Sequence, residues 1–319
     1  MADSDRNEGA HWERDLVARL ATDALSEQRR TRRWGIFFKL LAFVYLTTFL
    51  LVAIDWRGGR EARGTKHTAL VEVNGIIAPG ADASAEKVNA ALRAAFKDRN
   101  TQGVVVRINS PGGSPVQAHG IYEEMRRLRK KYPNIPLYAV VEDLCASGGY
   151  YVAAGADRIY VGSSSIVGSI GVLMNGFGFT GLMEKLGIER RLLTAGENKA
   201  MLDPFSPMDE RHKAHAQELM NEIHQNFIAA VREGRGKRLK ETPDMFSGLI
   251  WSGKKSVELG LADALGSLDS VARDVVKAEE VVDFTEKEGF AEKIARRVGA
   301  GAAGTLGQMF LSAPGTAPR

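Results

Sequence analysis

Short apolar runs alternate with glycine-rich loops and amphipathic stretches through the middle of this chain. Residues 84–98 place apolar side chains at helical spacing, and so does the stretch running through Ile121, Met125 and Leu128 to Lys131. A third helix, 209–233, carries many charges and an apolar stripe. Buried strands are predicted where apolar and β-branched residues cluster, at 69–73, 103–108, 136–141 and 158–161. Repetition of strand, loop, helix and strand predicts an α/β fold with largely buried strands.

One long apolar stretch, Gly35–Ile54, precedes this pattern. Its 20 residues, at about 1.5 Å each, cover the ~30 Å hydrocarbon core of a bilayer. Trp34 and Trp56 bracket it as interfacial anchors. A cleaved signal peptide would have a shorter apolar run nearer the N-terminus. We therefore predict a retained transmembrane anchor.

Charge is concentrated around this stretch. The net charge of the 319 residues is +4, yet nine lysines and arginines stand between Arg29 and Lys66 against two acids. The basic character therefore belongs to the membrane flanks and does not predict a nucleic-acid-binding face. Five basic residues precede or enter the span and four follow it, so charge alone only slightly favours a cytoplasmic N-terminus.

These patterns divide the chain into five parts. The predicted parts are a cytoplasmic N-terminal segment 1–33, the anchor 34–56, a linker 57–67, a soluble domain 68–285 and a flexible C-terminal tail 286–319.

Ser147 is the first candidate for catalysis. It stands between the strand ending near Val141 and the small-residue stretch 148–156, which predicts a helix packed closely on a sheet. Nucleophilic serines use such sharp strand-to-helix turns, where the free N–H groups of the helix favour negative charge. The alternative is that Ser147 is only a helix N-cap.

Acyl transfer also needs an oxyanion hole and a base. The loop Asn109-Ser110-Pro111-Gly112-Gly113 offers backbone N–H groups for the oxyanion, although an ordinary turn would have the same sequence. Lys199, followed by apolar residues and Asp203-Pro204-Phe205, is a candidate base, with a surface lysine as the alternative. A lysine acts as a base only when an apolar pocket lowers its pKa.

Other reactive side chains fit catalysis less well. His119 lies on the helix after the glycine loop, whereas His212, His215 and His224 fall on the charged helix, where a solvated face is expected. The single cysteine, Cys145, rules out an internal disulfide framework and is better explained as a small core residue than as a thiol nucleophile. No metal-ligand spacing is evident among the six histidines.

In combination, these motifs resemble the short, single-domain form of the bacterial signal peptide peptidase A (protease IV) family. The resemblance covers roughly Thr68 to Asp269 and includes the anchor before it. The motifs that carry it, in order, are Asn109–Gly113, Ala146–Tyr151, Gly162–Gly171, Gly196–Lys199 with Asp203–Phe205, and Gly260–Asp263.

The resemblance implies a crotonase-like, Clp-peptidase-like core of repeated β-β-α units and a Ser–Lys dyad without metal or cofactor. Ser147 would be the nucleophile and Lys199 the general base. Gly113 and Gly148 would form the oxyanion hole, and Ser169 would orient the lysine. The family's lysine usually follows an aromatic residue, where this chain has Asn198.

The resemblance also implies a homo-oligomeric ring with sites shared between protomers. The enzyme would sit in the bacterial inner membrane with its catalytic domain on the periplasmic side, degrading signal peptides and other apolar peptides. A crotonase-type acyl-CoA enzyme and a non-catalytic membrane scaffold for other proteases are the alternatives, because fold alone does not fix function.

Overall fold

The computed structural model describes residues 30, 32–50 and 65–286. They belong to two units, divided between Ala62 and Arg63. In the first unit, helix α1 (Arg32–Leu50) has 19 residues, a mean hydropathy of 1.4 and no buried residues. Its length and composition suit either a membrane anchor or a signal sequence. The predicted positions Trp56 and 287–319 lie outside the described residues.

In the second unit, the described residues form one sheet of eight strands. The strands are β1 (His67–Asn74), β2 (Thr101–Ser110), β3 (Leu137–Ala146), β4 (Arg158–Val161), β5 (Ile166–Gly168), β6 (Ile250–Ser252), β7 (Ala264–Leu265) and β8 (Val281–Asp283). Their order is β6-β5-β3-β2-β1-β8, and β4 pairs with both β3 and β7. Every pairing is parallel except that of β5 with β6. The predicted α/β class is confirmed as a mixed α/β fold with a largely parallel sheet.

Strand β3 is longer than its apolar run predicts. Its first half pairs with β4, and its second half, Leu144–Ala146, pairs with β5. A register shift against β2 lies between these halves, with Ile108 opposite Val141 and Ser110 opposite Cys145. The strand therefore continues beyond β4 and carries the chain directly to Ser147.

Helices connect the strands of this unit. They are α2 (Ala85–Lys97), α3 (Pro115–Lys131), α4 (Gly148–Ala153), α5 (Thr180–Lys185), α6 (Glu210–Arg235), α7 (Gly253–Glu258) and α8 (Leu268–Ser270), with a π-helical turn at Val271–Val276. The side chains of Ser84 and Ser114 cap α2 and α3. Helix α2 packs on β1 and β2, and α3 packs on α2 and α4. A buried cluster on the sheet joins Val105, Val140 and Tyr160 with Val271 of the π-helical turn.

A buried ion pair ties the end of α6 to the loop before β7. The Arg235 side chain is fully buried, and it lies 2.8 Å from Asp263 and donates to the Gly260 carbonyl. Burial alone would raise the pKa of Asp263, but hydrogen bonds and charge interactions with Arg235 outweigh it, so the pKa lies below its usual value. Tyr150 of α4 donates to Leu261 of the same loop at 2.7 Å. These bonds fix α4, the helix that follows Ser147.

Candidate active site

Ser147 occupies a strained turn between β3 and α4. Its φ is 52° and its ψ is −123°, a backbone conformation that residues with a Cβ rarely adopt. The Ser147 side chain makes no capping hydrogen bond to α4, so the helix-cap alternative has no support here. Its N–H donates to the Gly168 carbonyl at 2.9 Å, and its carbonyl accepts from Tyr151 N–H at 3.0 Å. The strain, about 1–3 kcal/mol, persists only where neighbouring structure imposes it, as active sites often do.

The glycine loop lies against this turn. A methyl group on Gly112, whose φ is 97°, would stand 2.7 Å from the Ser147 Cβ and 2.6 Å from the Gly148 nitrogen. Only glycine fits that approach. The family resemblance implied Gly113 as the functional glycine of this loop and did not single out Gly112. The consecutive glycines were the available signal.

Gly113 and Gly148 bring two amide groups to the same place. Ile77 accepts from Ser114 N–H and donates to the Gly112 carbonyl, so in this parallel pairing the amide of Gly113 points away from Ile77. A methyl group on Gly148 would lie 3.2 Å from the Gly113 nitrogen. Gly148 begins α4, so its N–H lacks an intrahelical acceptor. Neither N–H has an acceptor in the described part of the chain. Two unpaired N–H groups beside a serine hydroxyl are suited to stabilising an oxyanion.

Ser169 directly follows the last residue of β5, the strand that pairs with the end of β3. Its φ is also 52°, and its N–H donates to the Leu249 carbonyl at 2.7 Å. The next carbonyl, that of Ile170, accepts from His224 Nε2 at 3.1 Å. Ser169 directly follows Gly168, whose carbonyl accepts the Ser147 N–H, so the structure brings Ser169 near the serine turn. The sequence motif did not reveal His224, which was expected on a solvated face.

Lys199 stands apart from this group in its contacts. It is exposed, and its side chain forms no hydrogen bond or ion pair in the described part of the chain. No residue from 171 to 210 is buried. The apolar pocket that a basic lysine needs is therefore not formed around Lys199 by the described residues of one chain.

The other reactive groups are less suited to attack a substrate. Cys145 is fully buried, and burial raises the pKa of its thiol strongly, which keeps it protonated. His119 is exposed and bonds the Tyr151 hydroxyl at 3.0 Å, and burial raises the pKa of Tyr151 to about 12, with Tyr122 and Glu123 adding to the effect. No histidine bonds Ser147 within the described residues. Likewise, those residues contain no cluster of three metal-binding side chains.

The chain is similar in sequence to known peptidases. The model of peptidase family S49 matches residues 129–282. The chain is 31% identical over 234 residues to the "Putative signal peptide peptidase SppA" of Enterococcus faecium, covering 70% of this chain and 67% of that one. It is 32% identical over 202 residues to a "Putative protease" of Synechocystis, covering 63% and 70%.

A further match is to part of a longer protein. The chain is 46% identical over 182 residues to the "Na(+)/H(+) antiporter NhaA" of Brucella abortus. That match covers 57% of this chain but only 25% of the Brucella protein. The antiporter name therefore describes a protein of which this chain spans about a quarter.

A largely parallel α/β sheet with a strained serine at a strand-to-helix turn is an arrangement known from serine hydrolases. This arrangement and the similarity to the relatives above together assign the chain to a family. The chain belongs to peptidase family S49, a family of serine proteases.

Proposed function

We propose that this protein is a membrane-anchored serine endopeptidase that uses Ser147 as nucleophile and Lys199 as general base, and that it degrades signal peptides and other apolar peptides. The observation that carries the proposal is the strained Ser147 turn with the unpaired amides of Gly113 and Gly148 beside it. Strain of this kind is retained where function requires the geometry. Membership of family S49 supports the reaction class.

The chemistry follows from these groups. Neutral Lys199 takes the proton of the Ser147 hydroxyl while its oxygen bonds to the peptide carbonyl carbon. The carbonyl oxygen becomes an oxyanion, which the N–H groups of Gly113 and Gly148 stabilise. Collapse of this intermediate breaks the C–N bond, and the leaving amine takes the proton from the lysine. Water then hydrolyses the acyl-enzyme, and none of these steps requires a cofactor.

We infer that the base reaches the serine of a neighbouring protomer in a ring. The support is the segment 171–210, which contains no buried residue although many of its side chains are large and apolar. Its exposed members include Leu173, Phe177, Leu186 and Leu193, the last of which is 98% exposed. Such a surface is typical of protein interfaces. An interface that covers this segment would also remove water from around Lys199, which a lysine needs in order to act as a general base.

Apolar substrates and a bilayer location fit the same proposal. Helix α1 is long and apolar enough to hold the enzyme at a membrane, where cleaved leader peptides remain. The finer fold relationship, to the crotonase and Clp-peptidase group, is part of this proposal and rests on the motif resemblance. Within that fold the Ser147 and Lys199 pair favours peptide hydrolysis over acyl-CoA chemistry.

The decisive experiment uses the full-length protein in detergent micelles. A fluorophosphonate should modify Ser147, located by peptide mapping. Turnover of an apolar leader-derived peptide should fall to background in both Ser147→Ala and Lys199→Ala, and the double variant should lose little more because the two residues act as a unit. Lys97→Ala, which removes an exposed lysine of α2 outside the segment 171–210, should keep wild-type turnover.

Four results would count against the proposal. Activity of Lys199→Ala within about tenfold of wild type would remove the lysine from the role of base. Equal turnover of apolar peptides and charged peptides of the same length would reject the substrate class. Calorimetric binding of coenzyme A, or a Ser147 that resists the probe, would favour an acyl-CoA enzyme or a non-catalytic scaffold respectively.

Shared sites have their own test. Subunits carrying Ser147→Ala are mixed with subunits carrying Lys199→Ala, after dissociation and reassembly. Part of the activity should return, because some sites then combine an intact serine with an intact lysine. Complete inactivity of rings proven to contain both subunits would rule out sharing.

A further inference from the structure

The turn that carries Lys199 is not held by packing. Lys199 N–H donates to the Gly196 carbonyl at 3.1 Å and closes the turn, and Gly196 has a φ of 105°. The residues of this turn, 196–199, are all exposed. Other interactions must therefore set the direction in which the Lys199 amine points.

Two side-chain contacts reach this turn from the first turns of α6. His212 Nε2 lies 3.0 Å from Asn198 Oδ1, and Arg211 lies 3.3 Å from Glu197. The Arg211 and Glu197 side chains are 73% and 74% exposed, and such ion pairs contribute only about 0–1 kcal/mol. Arg211 also pairs with Asp209, so its guanidinium is shared.

The contact between His212 and Asn198 is the more specific of the two. The side-chain oxygen of Asn198 can only accept, so His212 Nε2 must donate. His212 is half-buried, unlike Arg211. Asn198 is bonded directly to Lys199, which places their Cα atoms about 3.8 Å apart. Movement of Asn198 therefore moves Lys199.

Helix α6 is a firm support for this hydrogen bond. Its 26 residues extend over about 39 Å. Near its C-terminal end Phe227, Ile228 and Val231 are buried, and Arg235 forms the ion pair with Asp263. At its N-terminal end the Asp209 side chain caps the helix by accepting from Arg211 N–H at 2.7 Å. His212 thus stands on a helix that is fixed in the core.

We propose that His212, through its hydrogen bond to Asn198, is a positioning residue that holds the Lys199 turn in register for proton transfer. The proposal rests on the proposed function of Lys199 as base. It assigns His212 no contact with substrate and no proton transfer of its own. Misplacement of a catalytic group by about 1 Å can cost on the order of 100-fold in rate, so loss of this single hydrogen bond should be visible in turnover.

The test compares kinetic constants of full-length variants in micelles on the apolar leader-derived peptide. His212→Ala and Asn198→Ala should each lower kcat by about 10- to 100-fold and leave KM within about twofold, because substrate binding is not involved. The double variant should be no worse than either single variant, since both remove the same bond. His212→Gln retains a nitrogen donor near the Nε2 position and should recover most of the lost kcat.

The matched control is His215→Ala, which removes an exposed histidine of the same helix that makes no hydrogen bond in the described residues. It should retain wild-type kcat and KM. If His212→Ala keeps kcat within twofold while Lys199→Ala is inactive, the positioning role is overturned and the proposed function stands. If His212→Gln is as slow as His212→Ala and both melt at a lower temperature, the residue is structural and the proposal fails. Retained activity in Lys199→Ala would overturn both proposals together.

Discussion

Replacing Ser147 by glycine should remove activity and yet stabilise the fold. Ser147 has a φ of 52° with a ψ of −123°, which costs a residue with a Cβ about 1–3 kcal/mol. Ser147→Ala keeps that cost because alanine retains the Cβ. Ser147→Gly relieves it but gives the unfolded chain more freedom, which offsets about 0.5–1 kcal/mol. The free energy of unfolding of Ser147→Gly should therefore exceed that of Ser147→Ala by about 1 kcal/mol, which corresponds to roughly 2–4 °C in Tm.

Thermal unfolding of the two full-length variants in identical micelles measures this difference. Both variants lack the hydroxyl proposed as nucleophile, so neither self-cleavage nor bound product should distinguish their Tm values. Ala154→Gly supplies the control, because Ala154 has a φ of −60° and the same exchange there should lower the Tm. A Tm of Ser147→Gly equal to or below that of Ser147→Ala would refute the reasoning that the serine turn is strained.

Two further predictions concern the support of this turn. Gly112→Ala should reduce the rate of fluorophosphonate labelling by at least about tenfold, because its methyl would stand 2.7 Å from the Ser147 Cβ; Gly80→Ala, with a φ of 73° but nothing within 4 Å, should label at the wild-type rate. Asp263→Asn should lower the free energy of unfolding by about 3–5 kcal/mol at pH 7, since it leaves the buried Arg235 charge unpaired. Because folding lowers the pKa of Asp263, its carboxylate stabilises the fold fully above the unfolded-state pKa of about 3.9 and loses this effect as pH falls through the folded-state pKa. Denaturant titrations should therefore show the unfolding free energies of wild type and Asp263→Asn converging below about pH 4.

Much of the fold could be predicted because local pattern and tertiary role agree. The strand predicted at 158–161 coincides with β4, and the helix predicted at 84–98 differs from α2 by one residue at each end. In both segments the apolar positions are those that the core buries, so periodicity identifies them. Ser147 could also be placed at a strand-to-helix turn, because small residues follow an apolar strand.

The second half of β3 could not be predicted in the same way. Its residues Glu142 and Asp143 are charged and are exposed, so the apolar pattern ended at Val141. The strand continues because Leu144–Ala146 pairs with β5, a three-residue strand in a serine- and glycine-rich stretch. Pairing between distant short segments leaves little trace in local sequence. The serine turn also depends on this pairing, since the Gly168 carbonyl of β5 accepts the Ser147 N–H.

The environment of Lys199 could not be predicted from its neighbours in the sequence. The apolar residues that follow Lys199 in the sequence favour an apolar pocket around it, yet in the structure they do not enclose it. Phe179 and Phe205 stack with ring centroids 5.5 Å apart, and Phe179 N–H donates to the Pro204 carbonyl at 2.7 Å, so the segment is ordered by its own contacts. Local contacts order this segment without burying it, which leaves its remaining apolar side chains exposed. In the proposed ring these side chains face a neighbouring protomer, so assembly would desolvate the lysine and supply its serine in one step. Peptide hydrolysis would then be confined to the assembled enzyme, because a separate chain holds the proposed nucleophile and the proposed oxyanion amides together but makes no side-chain contact between Ser147 and Lys199 in the described residues.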